Sequence, residues 1–203
     1  GAAGDGLATS VVEAFAEARA RPRQGVPARP PLAEVLESPP SAAEHAQALR
    51  LYGQFVGDWE LDVTDHAADG TRRTRHGEWR FGWILEGRAV QDVWRVPALD
   101  DPGAAGGPPT GFGTTVRTYD PKRDQWTVVW NGAVSGTVIR FTGRKQGDEI
   151  VQEGVDPESG LPTRWIFSDI RPDSFRWRSV RSPDGGATWQ LEQEMVVRRK
   201  PVS

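Results

Sequence analysis

Apolar and polar positions alternate along most of this chain. Trp59, Leu61 and Val63 take turns with Glu60, Asp62 and Thr64, the period of a strand buried on one face. Gly77, Trp79, Phe81 and Trp83 share a face against His76, Glu78 and Arg80, and Trp126, Val128 and Trp130 share one against Thr127, Val129 and Asn131. Trp165 and Phe167 oppose Arg164 and Ser168, Phe175 and Trp177 oppose Arg176 and Arg178, and Trp189, Leu191 and Met195 oppose Glu192 and Glu194. Turn pairs such as Asp69-Gly70, Glu86-Gly87, Asp120-Pro121, Gly147-Asp148 and Asp184-Gly185 separate these segments. The spacing predicts strands at about 57–64, 74–84, 88–96, 111–119, 125–131, 134–143, 149–155, 162–170, 174–181 and 187–198. The long interruption from Pro97 to Pro109 is a Pro- and Gly-rich loop, suited to a lid or to solvent. Some ten antiparallel strands with short links predict a mainly β chain closed into an up-and-down barrel, which leaves no open edge. A sandwich of two sheets is the alternative. In either case the aromatic face turns inward and the charges outward.

The first fifty residues follow another pattern. Ser10-Val-Val-Glu13 is a capping box, and Val11, Val12, Phe15 and Ala18 recur at helical spacing, so a short helix is expected from about 11 to 20. The Pro-rich stretch 21–31 allows only extended backbone. Leu32, Val35 and Leu36 suit a brief helical turn, and a second capping box, Ser41-Ala-Ala-Glu44, opens a helix to about Leu51 with Leu49 and Tyr52 facing inward. The expected division is an N-terminal extension over 1–40 and a barrel over 41–200. The extension is either a loose tail or an arm, packed over the barrel mouth or on a second subunit to make a homodimer.

Composition narrows the function. With 25 basic against 28 acidic residues the net charge is -3, so no polyanion-binding surface is expected and nucleic acid is not a partner. The absence of cysteine excludes disulfides, thiolate chemistry and cysteine-held metal clusters, and fits the cytoplasm. No apolar run reaches the ~20 residues of a membrane span, and no signal-peptide core is seen, so no membrane partner is expected. Basic residues are overwhelmingly Arg, with Lys only at 122, 145 and 200, a bias that together with abundant Ala, Gly and Pro hints at a GC-rich bacterial genome. His45, His66 and His76 have no zinc-binding spacing, and neither a nucleophile elbow nor a phosphate-binding glycine loop is present, so neither metal nor cofactor is expected. The nine Trp, all beyond residue 58, are the unusual feature. Indole rings fill a core or line a cavity for a flat ligand, and their N–H groups want partners in either role.

A helix leading into Gly57-Asp58-Trp59 on the first strand, followed by antiparallel strands, resembles the lipocalins and the wider calycin group. An Arg at the end of the last strand, Arg198 or Arg199, is similar to the residue that closes over that Trp in lipocalins. The segments Phe-Val-Gly-Asp-Trp-Glu, Gly-Arg-Ala-Val-Gln-Asp-Val-Trp, Thr-Tyr-Asp-Pro and Phe-Ser-Asp-Ile-Arg-Pro-Asp-Ser-Phe look more specifically like uncharacterised bacterial lipocalin-like barrel proteins, over residues 50–199. The resemblance implies the barrel fold and, from the wider group, binding of small apolar molecules. The ten-stranded nitrobindin type holds haem through a His late in the barrel; this chain has no His after His76 and departs from that pattern. Ser182-Pro-Asp184-Gly-Gly186-Ala-Thr188-Trp189 resembles the Asp-box turn of sialidase propellers, which implies a structural hairpin.

Candidate chemistry lies where polar residues fall in phase with aromatic ones. Val90, Asp92 and Trp94 point the same way, and a carboxylate among indoles must be paired or protonated. Asp92 is therefore the candidate general acid/base or ligand-orienting group, its other reading being an internal ion pair with Arg117 or Arg140. Trp83, Trp94, Trp130, Trp165 and Trp177, with Arg117, Arg140 and Glu153, form the candidate ligand-binding set. Glu153 sits between Val151 and Val155 in a strand whose faces are hard to tell apart. Three functions follow from these residues: binding of a small, largely apolar or aromatic molecule; a cofactor-independent cyclase, isomerase or hydratase acting on a polyketide- or terpene-like substrate; or a structural protein with a filled barrel.

Overall fold

Ten antiparallel strands pair each with the next, and the first pairs with the last, so the sheet closes into a barrel. The computed structural model describes residues 32–36, 45–101 and 108–201. Two helices precede the sheet, α1 (Leu32–Leu36) and α2 (Ala46–Gly53). The strands are β1 (Gly57–His66), β2 (Arg72–Ile84), β3 (Ala89–Val96), β4 (Gly111–Asp120), β5 (Gln125–Gly132), β6 (Val138–Gln146), β7 (Glu149–Val155), β8 (Pro162–Ser168), β9 (Ser174–Arg181) and β10 (Gln190–Arg199). The barrel displaces the sandwich alternative. The helix expected at 11–20, the Pro-rich stretch and the Ser41–Glu44 capping box lie outside the described residues. No helix among the described residues is long and apolar enough to cross a membrane.

Alternation sets which side chains fill the interior. Trp59, Leu61 and Val63 of β1 are fully buried, and their register partners Trp79 and Gly77 on β2 face the same way. Two segments depart from the simple pattern. Residues 134–137, expected at the start of a strand, belong to a turn closed by the Gly132 amide on the Thr137 carbonyl at 2.8 Å, so β6 begins at Val138. In β10 the register slips between Leu191 and Gln193. This bulge inserts one extra residue and reverses the phase of what precedes it. Leu191 pairs with Val180, and Trp189 packs with Val151, Ile166 and Val180 in a small outer cluster, while Gln193, Met195 and Val197 stay inside.

One end of the barrel is plugged by α2 and the chain that follows it. Tyr52 and Phe55 are buried and meet Trp126, Phe167, Phe81 and Phe175 at ring separations of 4.8–6.1 Å. The Trp59 indole donates to the Phe55 carbonyl at 2.7 Å, which ties the plug to the first strand. Gly57 has φ +128°, a backbone that disfavours side chains, and a Cβ there would come within 2.6 Å of the Arg199 guanidinium. Arg199 closes over the end. Its guanidinium carbon lies 4.0 Å from the centre of a Trp59 ring, and its nitrogens donate to the Gln54, Val56 and Pro172 carbonyls. Burial pulls its pKa down from the usual arginine value.

The hairpin before β10 is held by a carboxylate. Asp184 accepts from the Thr188 amide and hydroxyl at 2.8 and 2.7 Å and from the Ser182 hydroxyl at 2.8 Å. These bonds, the Thr188 amide foremost, draw its pKa down to about 2. Arg164 stacks on the adjacent Trp189 at 4.1 Å.

Candidate functional site in the barrel interior

Asp92 and Arg117 face each other inside the barrel, on neighbouring strands β3 and β4, at 1 % and 0 % exposure. Arg117 Nη1 donates to Asp92 Oδ2, and the Thr115 amide donates to Asp92 Oδ1 at 3.2 Å. The guanidinium also lies over the rings of Tyr52, Phe81 and Phe167, at 5.1, 5.4 and 5.9 Å. Nearby, Gln152 Nε2 donates to the Tyr52 hydroxyl at 2.9 Å. Burial raises the Tyr52 phenol to about 12, against the opposing pull of the Arg117 charge and the Gln152 bond. The band is thus an internal electrostatic clamp between β3, β4, β7 and α2. Both Asp92 oxygens are engaged.

A belt of indoles runs around the inner wall. Trp94 meets Trp130 at 6.1 Å, Trp130 meets Trp165 at 5.7 Å, Trp165 meets Trp177 at 5.3 Å and Trp177 meets Trp79 at 6.3 Å, every pair edge to face. Trp79 and Trp94 are register partners on neighbouring strands. The rings are bulky enough to need bare backbone beside them. A Cβ on Gly111 would fall 2.5 Å from Trp94, and one on Gly113 2.3 Å from Trp130. Three of these indoles, Trp79, Trp94 and Trp177, carry buried N–H groups with no partner among the described residues. The same is true of the Thr115 hydroxyl, Arg117 Nε and Gln152 Oε1. Buried polar atoms are nearly always satisfied, so this concentration on one inner wall is informative.

At the end of the barrel away from α2, a hollow of about 230 Å³ opens between Trp94 and Trp130. Arg75, Thr110, Ser135 and Gln193 stand around it. Asp65 holds the rim together, accepting from Arg75 Nη2 and, at 2.7 Å, from Gln193 Nε2. A broader cleft of about 1490 Å³ lies at the opposite end, between α2 and the turns after β4, β6 and β8. Its wall mixes Arg50, Arg144, Lys145 and Arg171 with Asp124, Asp148 and Asp169, and none of the unpartnered buried polar atoms lines it.

The residues singled out from sequence separate into four groups. Trp94, Trp130, Trp165 and Trp177 come together in the belt, and Asp92 and Arg117 come together as a pair. Trp83 stands apart at the α2 end, packed over Gly53 and lining the broad cleft. Arg140 and Glu153 are exposed on the outer face. Ile139 and Phe141 take the inner positions of β6, and Ile150, Gln152 and Gly154 take the inward phase of β7, so Glu153 turns outward to pair with Arg164 at 2.7 Å. Arg140 is therefore not the partner of Asp92.

The overall arrangement has counterparts among solved structures. A crystal structure of Rv2717c from M. tuberculosis matches with a TM-score of 0.53 at 16% identity, covering 77% of this chain and 99% of that one. An S-type phycobiliprotein lyase, CPES, from Guillardia theta matches with a TM-score of 0.51 at 11% identity, covering 80% of this chain and all of that one. The fold is lipocalin-like. No family model matches the sequence, and no curated protein matches it. At these identities the likeness concerns the lipocalin-like barrel alone.

Within the barrel, several interior residues escape a reading by residue type. Arg75 stands two positions before Gly77 and so shares the phase of Trp79; carrying the alternation one step back would have found it. Gly111 and Gly113 are likewise in phase with each other, a pattern that marks close approach within a strand. Gln193 could not be found this way, because the bulge beside it breaks the count.

Proposed function

We propose that this barrel binds a small, flat, largely aromatic molecule at the mouth remote from α2, between Trp94 and Trp130. The observation that carries this reading is the set of buried indole N–H groups without partners, one of which belongs to Trp94, a residue that lines the hollow. Aromatic walls with a few convergent polar groups are what a small-molecule site requires. The space of about 230 Å³ is below the ~300–1,000 Å³ usual for drug-sized ligands, which limits the occupant to one or two fused rings. The partners of Asp92, Arg117 and the Thr115 amide, favour binding over the enzyme alternative.

Tryptophan fluorescence tests this. Titration with 1-naphthol is expected to quench emission saturably, and Trp130→Ala to weaken binding by about tenfold, the loss of one ring wall. Trp83→Ala, at the other end, leaves the affinity unchanged. Quenching that stays linear without saturation, or that responds to Trp83 and not to Trp130, overturns the assignment.

A further inference from the structure

Among the residues that line the hollow, the buried polar atoms without partners are of one kind. Both Asp65 oxygens are taken by Arg75 and Gln193. Arg75 Nη1 donates to the Thr110 hydroxyl at 2.9 Å, which in turn donates to the Val96 carbonyl at 3.3 Å. The Ser135 hydroxyl accepts from the Thr137 amide at 3.2 Å. Two buried atoms then remain without partners among the described residues, Arg75 Nε and Trp94 Nε1, and both are donors. Arg75 belongs to β2 and Trp94 to β3, and both line the same hollow. Trp94 is 9% exposed, and its N–H is buried without a partner among the described residues, a rare state for a polar group.

We propose that the mouth selects aromatic molecules bearing an oxygen acceptor, a carboxylate, phenolate or ring carbonyl, on the edge that enters between Arg75 and Trp94. This deepens the reading above and rests on it. The acceptor would take hydrogen bonds from Arg75 Nε and Trp94 Nε1, one of them charge-assisted, while the ring lies against Trp130. A cationic head group is disfavoured by the charge at this rim. Asp65, the carboxylate on the rim, is already spent on Arg75 and Gln193, and the cation would face the Arg75 guanidinium.

The test uses two probes with one ring system and opposite heads, 1-naphthoate and 1-naphthylmethylammonium, titrated calorimetrically into the full chain. The naphthoate is expected to bind at least about tenfold more tightly, the scale of a charge-assisted hydrogen bond. Trp94→Phe keeps a ring and removes the N–H; it is expected to cut naphthoate affinity about tenfold and leave the ammonium probe unaffected. Arg75→Gln, at the partly exposed rim, provides the same comparison should Trp94→Phe fold poorly. Equal affinity for the two probes, or naphthoate binding indifferent to both substitutions, overturns the selectivity while leaving the aromatic site standing. Failure of both probes to bind overturns the site and the selectivity together.

Discussion

Asp92→Asn destabilises the barrel by about 3–5 kcal/mol in urea unfolding, because it strands the Arg117 guanidinium, fully buried, without its counter-charge. Rings of Tyr52, Phe81 and Phe167 around the cation soften the loss but cannot replace an anion. Removing both charges has a different consequence. Asp92→Leu combined with Arg117→Met takes away two expensive desolvations along with their attraction, so the double variant is expected to be more stable than Asp92→Asn alone. This non-additivity separates a structural clamp from a catalytic acid, since an idle acid would be replaceable by Asn at little cost. A loss below about 1 kcal/mol for Asp92→Asn would place the pair in contact with water, as exposed ion pairs are.

Tyr52→Phe alters the alkaline limb of the stability curve. The phenol titrates near 12 in the folded chain, above its ordinary 10, because burial penalises the phenolate. Stability from this group is complete below pH 10. It falls as pH rises from 10 to 12, where the unfolded chain gives up the proton and the folded chain keeps it. The shift corresponds to about 3 kcal/mol in all, at roughly 1.4 kcal/mol per unit. In Tyr52→Phe that portion of the decline disappears, while at neutral pH the variant loses the Gln152 bond at a cost of about 1–2 kcal/mol. Parallel curves for the two proteins between pH 9 and 12 would contradict a buried Tyr52 hydroxyl.

Most of the architecture was readable because the dominant signal, a period of two, is local. Trp79, Trp94, Trp130, Trp165 and Trp177 sit on the inner wall as their neighbours in sequence imply, and the strand ends fall within a few residues of the turn pairs. The Arg that closes over Trp59 is Arg199. What escaped was not local. The bulge at Leu191 and Gln193 moved Trp189 outside, because an extra residue leaves no mark on composition. Val151, Glu153 and Val155 alternate with Ile150, Gln152 and Gly154, a strand apolar on both faces, and only the fold could decide that Glu153 and its phase look outward. The choice of Arg117 over Arg140 for Asp92 likewise depends on strand order: β3 neighbours β4, not β6. The rim at Arg75, Asp65 and Gln193 joins residues more than a hundred positions apart, beyond any sequence pattern.

The indoles that meet a ligand locate the site. Nine Trp give nine indole N–H resonances, resolvable in a ¹⁵N-labelled sample titrated with 1-naphthol. Trp94 and Trp130, flanking the hollow, are expected to shift together and saturate, while Trp59, already bonded to the Phe55 carbonyl, and Trp83, at the opposite end, stay in place. Shifts confined to Trp83 and Trp126 would move the site to the cleft beside α2, and a spectrum unchanged at saturating ligand would contradict a binding barrel altogether.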